Sequence, residues 1–464
     1  MKKRGIVIVV AVCCVALVIL YARNDSRQHA FTFSTKPVAI TPGDGPGNES
    51  SATPFAADEW PQWRGPNRDA VSSSTGLLAD WPEDGPPLEW TAKGLGRGMS
   101  SVSVADGRIF TVGKRQGQGV CLIALDSERG EEIWATPLSG DGEPNGTPTV
   151  HGDHVFAITY DGGLVCAETA TGRVVWQKNL VTDFGGEVPG WGFSESPLVD
   201  GEVVVCTPGA KDALIVALDK STGGVIWKSA APGEMEGRGH GGAGYSSVVV
   251  GRGAGIRQYV QLVGNGVIGV SAADGTPLWG YARIANGVAN IPTPIVQGDY
   301  VFVSSGYGAG TALLRLEAAA GGVKVNEVYF HPGNKMQCHH GGMVFVDDHV
   351  YFGHGHDQGL PICVEFLTGK AAWGPERGPG SNSAAVVYAD GHLYFRYQDA
   401  IMALIEATPE DYRLKASFTL PSQLDNSWPH PVISSGRLYL RDQDVLMCYD
   451  LRAERERENV QTEE

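Results

Sequence analysis

The sequence has few charged residues and lacks the cysteine motifs of several protein classes. Charged residues make up 19% of its 464 residues, and 52 acidic residues against 36 basic ones give a net charge of −16. This negative charge would repel a phosphate backbone, so nucleic-acid binding is not expected. None of the eight cysteines forms a Cys-x-x-Cys pair. This absence excludes a zinc knuckle and a covalently attached haem, and the scattered cysteines do not form a dense disulfide framework.

Glycine and tryptophan, in contrast, are abundant. The chain contains 63 Gly, 27 Pro and 11 Trp, and its glycine content is about twice the usual ~7%, without the period of collagen. So many turn residues disfavour long helical bundles, and so many tryptophans disfavour a disordered chain. The composition therefore predicts many short strands joined by turns.

Both ends of the chain differ in composition from the middle. Lys2 to Arg4 precede an apolar stretch from Gly5 to Tyr21, which predicts export through a signal anchor or a signal peptide over residues 1–24. The anchor is favoured, because the stretch is long enough to span a bilayer and no good cleavage site follows it. Residues 25–58 are predicted to be a flexible linker, and residues 453–464 a charged tail. Export would place the protein at the periplasmic face of the inner membrane, or free in the periplasm after cleavage.

Residues 59–452 are predicted to form one propeller domain, in which the sequence from about residue 86 to 452 repeats with a period of about 47 residues, as solenoid and propeller sequences do. The clearest unit runs from Ser196 to Trp227, where short apolar runs alternate with Asp-Gly and Thr-Gly turns. This pattern predicts a four-stranded antiparallel meander. The sequence pattern of the second strand of this unit occurs eight times along the chain. Outer-strand tryptophans recur at intervals of 42 to 52 residues, or twice that, at Trp90, Trp134, Trp176, Trp227, Trp279 and Trp373.

The last and first units complete each other. The last unit, from Trp428 to Leu451, has room for three strands, whereas Pro87 to Trp90 form an outer strand without a unit of its own. Pairing the two would close a ring and remove the exposed sheet edges of an open array. The predicted fold is all-β: an eight-bladed β-propeller of four-stranded antiparallel blades, closed by an N-terminal outer strand.

One repeat motif resembles that of a known family. Ala217 to Trp227 match the Ala-x-Asp-x-x-Thr-Gly-x-x-x-Trp docking motif of the PQQ-like (pyrroloquinoline quinone) propeller repeat, and Ala124 to Trp134, Cys166 to Trp176 and Cys363 to Trp373 match with substitutions. Trp60 to Asp69 also resemble the opening segment of exported PQQ-like repeat proteins. The family includes quinoprotein dehydrogenases and the BamB-like propeller of outer-membrane assembly. The absence of any Trp-Asp dipeptide argues against a WD-repeat propeller.

The docking motif is expected to be structural. Its acid and Thr can cap the turn, its Gly can adopt a positive φ, and its Trp can cover the neighbouring blade. Cys166, Cys363 and Cys448 stand two residues before the acid. We expect them to be small buried residues and not reactive thiols.

The loops that lead from an outer strand to the next inner strand converge at the axis of a propeller, on one face. This loop face is therefore the candidate ligand site, and its dense glycines would bring backbone close to a ligand. The candidate residues are Arg97, Asn145, Trp191, Glu195, Arg238, His240, Asn290, His339, His340, Asn382, Trp428 and His430. Histidines in such a cluster would make binding sensitive to pH between about 5 and 8.

No metal site is predicted. His339 and His340 are adjacent, so in a strand at most one of them is expected to face the axis. His354 and His356 form a better local chelate, but the segment follows a second strand, and we interpret it as a surface turn away from the axis.

Two functions fit this pattern. The favoured one is a monomeric cell-envelope module that binds a protein or carbohydrate partner through the loop face, needs no cofactor and contacts the membrane only through its N-terminal segment. The alternative, implied by the family resemblance, is a PQQ-dependent quinoprotein alcohol dehydrogenase with PQQ and calcium at the axis; an axial enzyme of another kind is also left open. No catalytic residue is assigned.

The quinoprotein alternative lacks several expected parts. Such enzymes carry an adjacent cysteine pair beside the cofactor, but the only adjacent pair here is Cys13-Cys14, in the apolar N-terminal stretch. Glu195 with Asn290 would supply few of the six to eight oxygens that calcium prefers.

Overall fold

The computed structural model describes residues 58–233, 235–320 and 322–453. The predicted signal segment, all but the last residue of the predicted linker, and all but the first residue of the predicted tail lie outside the described residues. Within the described part of the chain, no helix is both long and apolar enough to cross a membrane.

The first strand and four blades come first along the chain. β1 (Leu88–Lys93) comes first and joins the last blade. Blade 1 contains β2 (Ser103–Ala105), β3 (Arg108–Arg115), β4 (Gly119–Asp126) and β5 (Glu132–Pro137). Blade 2 contains β6 (Thr149–His151), β7 (His154–Ile158), β8 (Gly163–Glu168) and β9 (Val174–Asn179). Blade 3 contains β10 (Leu198–Asp200), β11 (Val203–Cys206), β12 (Ile215–Asp219) and β13 (Val225–Ser229). Blade 4 contains β14 (Val249–Gly253), β15 (Ile256–Val263), β16 (Gly266–Ser271) and β17 (Pro277–Tyr281).

The other four blades follow in the same order. Blade 5 contains β18 (Ile295–Gln297), β19 (Tyr300–Ser305), β20 (Gly310–Ala319) and β21 (Gly322–Pro332). Blade 6 contains β22 (Cys338–Val346), β23 (His349–His354), β24 (Leu360–Glu365) and β25 (Ala371–Trp373). Blade 7 contains β26 (Ala384–Ala389), β27 (His392–Tyr397), β28 (Ile401–Glu406) and β29 (Leu414–Thr419). Blade 8 contains β30 (Val432–Ser434), β31 (Arg437–Asp442) and β32 (Val445–Asp450).

The ring closes as predicted from the sequence. β1 pairs antiparallel with β32, so that Trp90 lies opposite Cys448 and Lys93 lies opposite Val445. This strand supplies the fourth strand of blade 8, and the eight blades are all four-stranded and antiparallel. The eight-bladed propeller predicted from the repeats is therefore confirmed.

The docking motif is structural, as expected. Oδ1 of Asp219 accepts hydrogen bonds from the backbone N–H groups of Ser221 and Thr222, at 3.1 and 2.8 Å. Trp176, from the preceding blade, packs against the turn that this acid caps, and its Nε1 donates to the Lys220 carbonyl at 2.9 Å. A Cβ at Gly223 would lie 2.9 Å from the Trp176 ring, so glycine permits the contact. The motif thus joins neighbouring blades.

Blade 5 keeps this contact with a different aromatic residue. Tyr329 pairs with Leu313 just before a bulge, in the position that Trp227 occupies opposite Ala217. Its hydroxyl donates to the Phe366 carbonyl at 2.9 Å. A Cβ at Gly369 would lie 2.7 Å from the Tyr329 ring. Tyrosine therefore replaces the tryptophan that the repeat has lost there.

The cysteines are buried, as expected. All six that lie in the described residues are free and buried. Burial raises the pKa of both Cys166 and Cys363 to about 12, so these thiols are unreactive at neutral pH.

A non-repeating segment, residues 58–74, crosses the middle of the ring, and we call it the central segment. The backbone of Trp60 donates to Val104 at 2.9 Å. Further along, the carbonyl of Ala70 accepts from the Tyr388 backbone at 2.9 Å, and the Ser72 hydroxyl donates to the Ile433 carbonyl at 2.9 Å. These contacts reach the inner strands of blades 1, 7 and 8.

Two arginines of the central segment contact three further blades. Arg68 donates to the carbonyls of Ser196 and Val248, at 3.2 and 2.9 Å, where blades 3 and 4 begin. Arg64 donates to the Met343 carbonyl of blade 6. Blades 2 and 5 are reached through Pro61 and Trp63. The sequence identified this stretch by family resemblance only; the structure places it in the bore, in contact with all eight blades.

We expect Trp176→Ala to lower the free energy of unfolding by about 3–5 kcal/mol, the usual cost of truncating a buried aromatic residue. Trp176 is 9% exposed, whereas Trp191, on a loop, is 49% exposed. Trp191→Ala is therefore the control, with an expected change within about 0.5 kcal/mol. Urea denaturation of both variants tests the difference, and equal losses would show that the docking contact does not stabilise the ring.

Candidate functional site

The loop face contains a cavity of about 600 Å³ at the axis. Trp63 and Arg64 of the central segment line it together with the loops. The remaining lining residues are Met99, Glu143, Asn145, Tyr160, Trp191, Ser194, Ser196, Tyr245, Ser247, Ala289, Ile291, Pro292, Thr293, Tyr307, His339, His340, Gly342, His356, Asp357, Asn382, Gln398, Asn426, Trp428 and His430. The predicted face therefore does carry a pocket, with a volume in the range of small-molecule sites.

The structure brings seven of the predicted residues together in this lining: Asn145, Trp191, His339, His340, Asn382, Trp428 and His430. Asn145 donates to the Trp191 carbonyl at 2.7 Å, which fixes two neighbouring loops to each other. Nε1 of Trp428 donates to Oε1 of Gln398 at 2.9 Å, and its ring lies 4.8 Å from that of His340. These side chains are thus held in place by one another.

Glu195 is not part of the lining, because it turns inward. Its carboxylate accepts from the backbone N–H of Thr207 at 2.7 Å and from the Thr207 hydroxyl at 2.9 Å. Burial raises the pKa of Glu195 to about 7 despite these bonds and the nearby charge of Arg68. Glu195 therefore satisfies buried polar groups between blades and does not face a ligand.

Asn290 is also buried and structural. Its side-chain oxygen accepts from the Asn286 backbone at 3.0 Å and from the Ser305 hydroxyl at 3.0 Å. Its amide donates to the Gly264 carbonyl at 2.9 Å. The residue holds the loop between blades 4 and 5 to the ring.

The other three predicted residues lie on the loops but outside the lining. Arg97 forms ion pairs with Glu143 at 2.8 Å and Asp425 at 2.7 Å. Nε2 of His240 lies 2.7 Å from the Gly287 carbonyl, and Arg238 donates to the Gly308 carbonyl at 3.4 Å. Each of these contacts joins one loop to another, so the residues fasten the loop face.

The expectation that only one of two adjacent histidines faces the axis is wrong. His339 and His340 both line the cavity, with ring centroids 4.1 Å apart. The pairing of β22 with β23 is irregular between Cys338 and Met343, and Gly342 has a φ of +71°. This irregularity interrupts the alternation of side chains that a regular strand would impose.

The interpretation of the His354–Asp357 segment as a turn away from the axis is also wrong. His356 and Asp357 line the cavity, and the ring of His356 lies 4.1 Å from that of His339. Successive antiparallel strands reverse direction, so the hairpin between the second and third strands ends on the same face as the connection between blades. His354 itself is buried in β23.

The same reversal explains residues that the sequence analysis missed. Tyr160, Tyr307 and Gln398 lie in the hairpins between second and third strands of blades 2, 5 and 7, and all three line the cavity. Counting strand directions along each repeat would have found them. Trp63 and Arg64 carried no such signal, since they lie outside the repeats.

Three of the predicted histidines, His339, His340 and His430, do not titrate where the sequence suggested. Burial, aided by the neighbouring His356, lowers the pKa of His339 to about 4. Burial and the charge of Arg64 lower the pKa of His430 to about 3, and burial also lowers the pKa of His340. These three imidazoles are neutral at pH 7, so they do not supply the predicted sensitivity between about pH 5 and 8.

Comparison with known proteins identifies the family. A family model described as "Outer membrane protein assembly factor BamB" matches residues 81–182 and 121–375. The chain belongs to this PQQ-like repeat family. A BamB of Nitrosomonas eutropha is 22% identical over 272 residues, which cover 56% of this chain and 58% of that protein. A BamB of Burkholderia pseudomallei is 27% identical over 117 residues, covering 23% of this chain and 27% of that protein. The chain therefore matches 58% of the length of the first relative and 27% of the length of the second.

A solved structure agrees in fold. The quinohemoprotein alcohol dehydrogenase from Comamonas testosteroni superposes with a TM-score of 0.58 at 14% identity, over 86% of this chain and 82% of that chain. At this identity the likeness shows the propeller fold alone.

The described cavity does not fit PQQ with calcium, the cofactor pair of quinoproteins. Calcium takes six to eight oxygen ligands, but the carboxylates of the lining are Glu143 and Asp357, and Glu143 is paired with Arg97. The side-chain oxygens of Glu195 and Asn290 accept hydrogen bonds from buried neighbours.

The buried carboxyl of Glu195 predicts a specific pH dependence of stability. Because its pKa is raised from the usual 4.5 to about 7 in the folded protein, the folded state binds more protons between these values than the unfolded state. The contribution of this group is fully present below about pH 4.5 and is lost as the pH rises through 7.

Glu195→Gln should remove this loss. As the pH rises from 4.5 to 7.5, we expect the unfolding free energy of the variant to increase relative to that of the parent. Urea denaturation of both proteins across this range measures this difference. The histidines with lowered pKa change the stability of both proteins equally, so their opposite pH dependence cancels in the difference. A difference that is constant with pH would contradict a raised pKa for Glu195.

Proposed function

We propose that the protein is an exported cell-envelope propeller that docks a protein partner through its loop face, with the axial cavity receiving a protruding group of that partner. The family supports an envelope role, since the matching relatives are named outer membrane protein assembly factors. Export rests on the basic and apolar N-terminal stretch, which lies outside the described residues.

The observation that carries the proposal is a set of exposed apolar side chains on the loop face, which also holds the cavity. Val188, Trp191, Val288 and Leu424 are 42–56% exposed, and all lie in loops that join one blade to the next. Exposed apolar groups on one face are typical of docking surfaces. The cavity on the same face can bury an inserted anchor residue, the usual centre of binding energy.

The lining favours a polar group with a hydrogen-bond acceptor in the cavity. Aromatic rings such as Tyr160, Tyr245 and Trp428 alternate with the amides of Asn145 and Asn382. Nη1 of the buried Arg64 has no hydrogen-bond partner among the described residues, so an acceptor on the inserted group would satisfy it.

The same lining supports a second candidate, an envelope carbohydrate. A sugar presents hydroxyl groups to amides and an apolar ring face to aromatic side chains, so the rings and amides of the cavity match it chemically. This candidate needs the cavity but not the exposed rim, which separates it from the first.

The test compares rim and control variants. The rim variant combines Val188→Ser, Val288→Ser and Leu424→Ser, none of which lines the cavity. The control combines Val175→Ser, Val225→Ser and Ile226→Ser, whose parent side chains are similarly exposed on outer strands. The full chain is cross-linked in envelopes of its own host, the bound protein is identified, and its Kd for each purified variant is measured. We expect the rim variant to bind at least about tenfold more weakly, a loss of about 1.4 kcal/mol, and the control to bind within twofold of the parent.

Two outcomes would overturn the protein-docking proposal. One is a rim variant that binds as the parent does. The other is equal weakening by the control. If instead purified cell-wall or outer-membrane glycans bind the parent and the rim variant alike, and Trp428→Ala abolishes this binding, the carbohydrate candidate replaces the first.

A further inference from the structure

Three potential metal ligands meet at the wall of the cavity formed by blade 6. His339 lies near the start of β22, and His356 and Asp357 lie in the hairpin between β23 and β24. One ligand atom from each residue can be chosen so that all three lie within 4.8 Å of one another. The three residues thus converge although His339 is distant from the other two in sequence.

Two close contacts join the three residues. Nδ1 of His339 lies 3.1 Å from Oδ1 of Asp357, and Nε2 of His356 lies 3.5 Å from Oδ2 of the same carboxylate. A tetrahedral ion with ligands at about 2.0–2.2 Å holds them roughly 3.4 Å apart. The His356 and Asp357 atoms are close to this spacing. The contact of Nδ1 of His339 with Asp357 is a hydrogen-bonding contact, so the ligand atom that His339 offers is its other ring nitrogen, Nε2, and Asp357, on an exposed turn, can adjust towards it.

An unpartnered buried nitrogen marks the site independently. His339 is only 6% exposed, and its Nε2 has no hydrogen-bond partner among the described residues. Its Nδ1, in contrast, lies 2.7 Å from the Ser383 hydroxyl. Buried polar atoms are rarely left without a partner, because the loss of hydration costs about 1–3 kcal/mol. A bound ion would explain this nitrogen.

We propose that His339, His356 and Asp357 bind a divalent transition-metal ion of the zinc class. Two imidazoles and one carboxylate suit zinc and its neighbours in the first transition row, whereas calcium and magnesium require more oxygen ligands. Three protein ligands leave a coordination position for water or a ligand group, as in zinc sites that act on a ligand.

The surroundings would orient these ligands. The Tyr307 ring packs against both imidazoles, with centroids 5.0 Å from His339 and 4.5 Å from His356. The Ser383 hydroxyl contacts His339 directly, and outer contacts of this kind fix the ring orientation of a metal-binding histidine. Because the cluster lines the cavity, the open position would face the space where a partner or glycan inserts. The inference does not depend on which of them does so.

The experiment measures binding of Zn²⁺ and Co²⁺ to the purified, metal-free full chain. Calorimetry gives stoichiometry and Kd for Zn²⁺, and the visible spectrum of Co²⁺ reports nitrogen and oxygen coordination. His356→Gln and Asp357→Asn remove one ligand each. His349→Gln is the matched control, because His349 lies at the opposite end of β23 in the same blade. Thermal melting confirms that each variant is folded.

We expect the parent and His349→Gln to bind one Zn²⁺ with similar Kd, and Ca²⁺ at millimolar concentration not to compete. Each ligand variant should bind Zn²⁺ at least 100-fold more weakly and lose the Co²⁺ spectrum. The proposal is overturned if the parent binds no Zn²⁺, or if both ligand variants bind it as the parent does. Should one ligand variant fail to fold, the other alone decides.

Discussion

The site depends on the hydrogen bonds that two buried arginines in the bore donate to carbonyls of the blades. The innermost strand of each blade has one edge that no neighbouring strand covers, and its buried polar groups still need partners. Arg68 donates to carbonyls at the start of blades 3 and 4, and Arg64 donates to one in blade 6. Burial lowers the pKa of both to about 10, so they remain charged at pH 7. Charged donors make strong hydrogen bonds to these carbonyls.

The central segment also determines the shape of the cavity. Because it crosses the bore, the cavity has a floor, formed in part by Trp63 and Arg64. The approach of Arg64 requires glycine in the facing strand: a Cβ at Gly342 would lie 2.2 Å from Nη1 of Arg64. The same glycine lies in the irregular part of β22 that turns both histidines towards the axis. The floor, the irregular strand and the histidine cluster therefore form one connected arrangement.

The ring could be predicted from the sequence because its determinants are local and repeated. Alternating strands, Thr-Gly turns and regularly spaced tryptophans fix eight blades, and the unmatched strand at Trp90 fixes the closure. Tyr329 was missed because a conservative aromatic replacement removes the motif while keeping the contact.

The site was predicted less completely, for two physical reasons. The order of strands shows which loops reach the axis, but a polar residue in such a loop can face a ligand, as Asn145 does, or satisfy buried neighbours, as Glu195 and Asn290 do. Only the packing distinguishes these cases. The path of the central segment depends on contacts with every blade, and no periodic signal in the chain encodes it.

The stability of an Arg68→Met variant tests most directly whether the central segment holds the ring together. Methionine keeps much of the volume but leaves the carbonyls of Ser196 and Val248 without the donor that Arg68 supplies, at about 1–3 kcal/mol each. The Pro197 carbonyl, which Arg68 also contacts, keeps the Thr149 hydroxyl as a donor. Arg97→Met, at an exposed arginine with two ion pairs, is the control and should cost about 1 kcal/mol or less. In urea denaturation we predict a loss of at least about 2 kcal/mol for Arg68→Met. Equal stability of the two variants would contradict a central role for this segment.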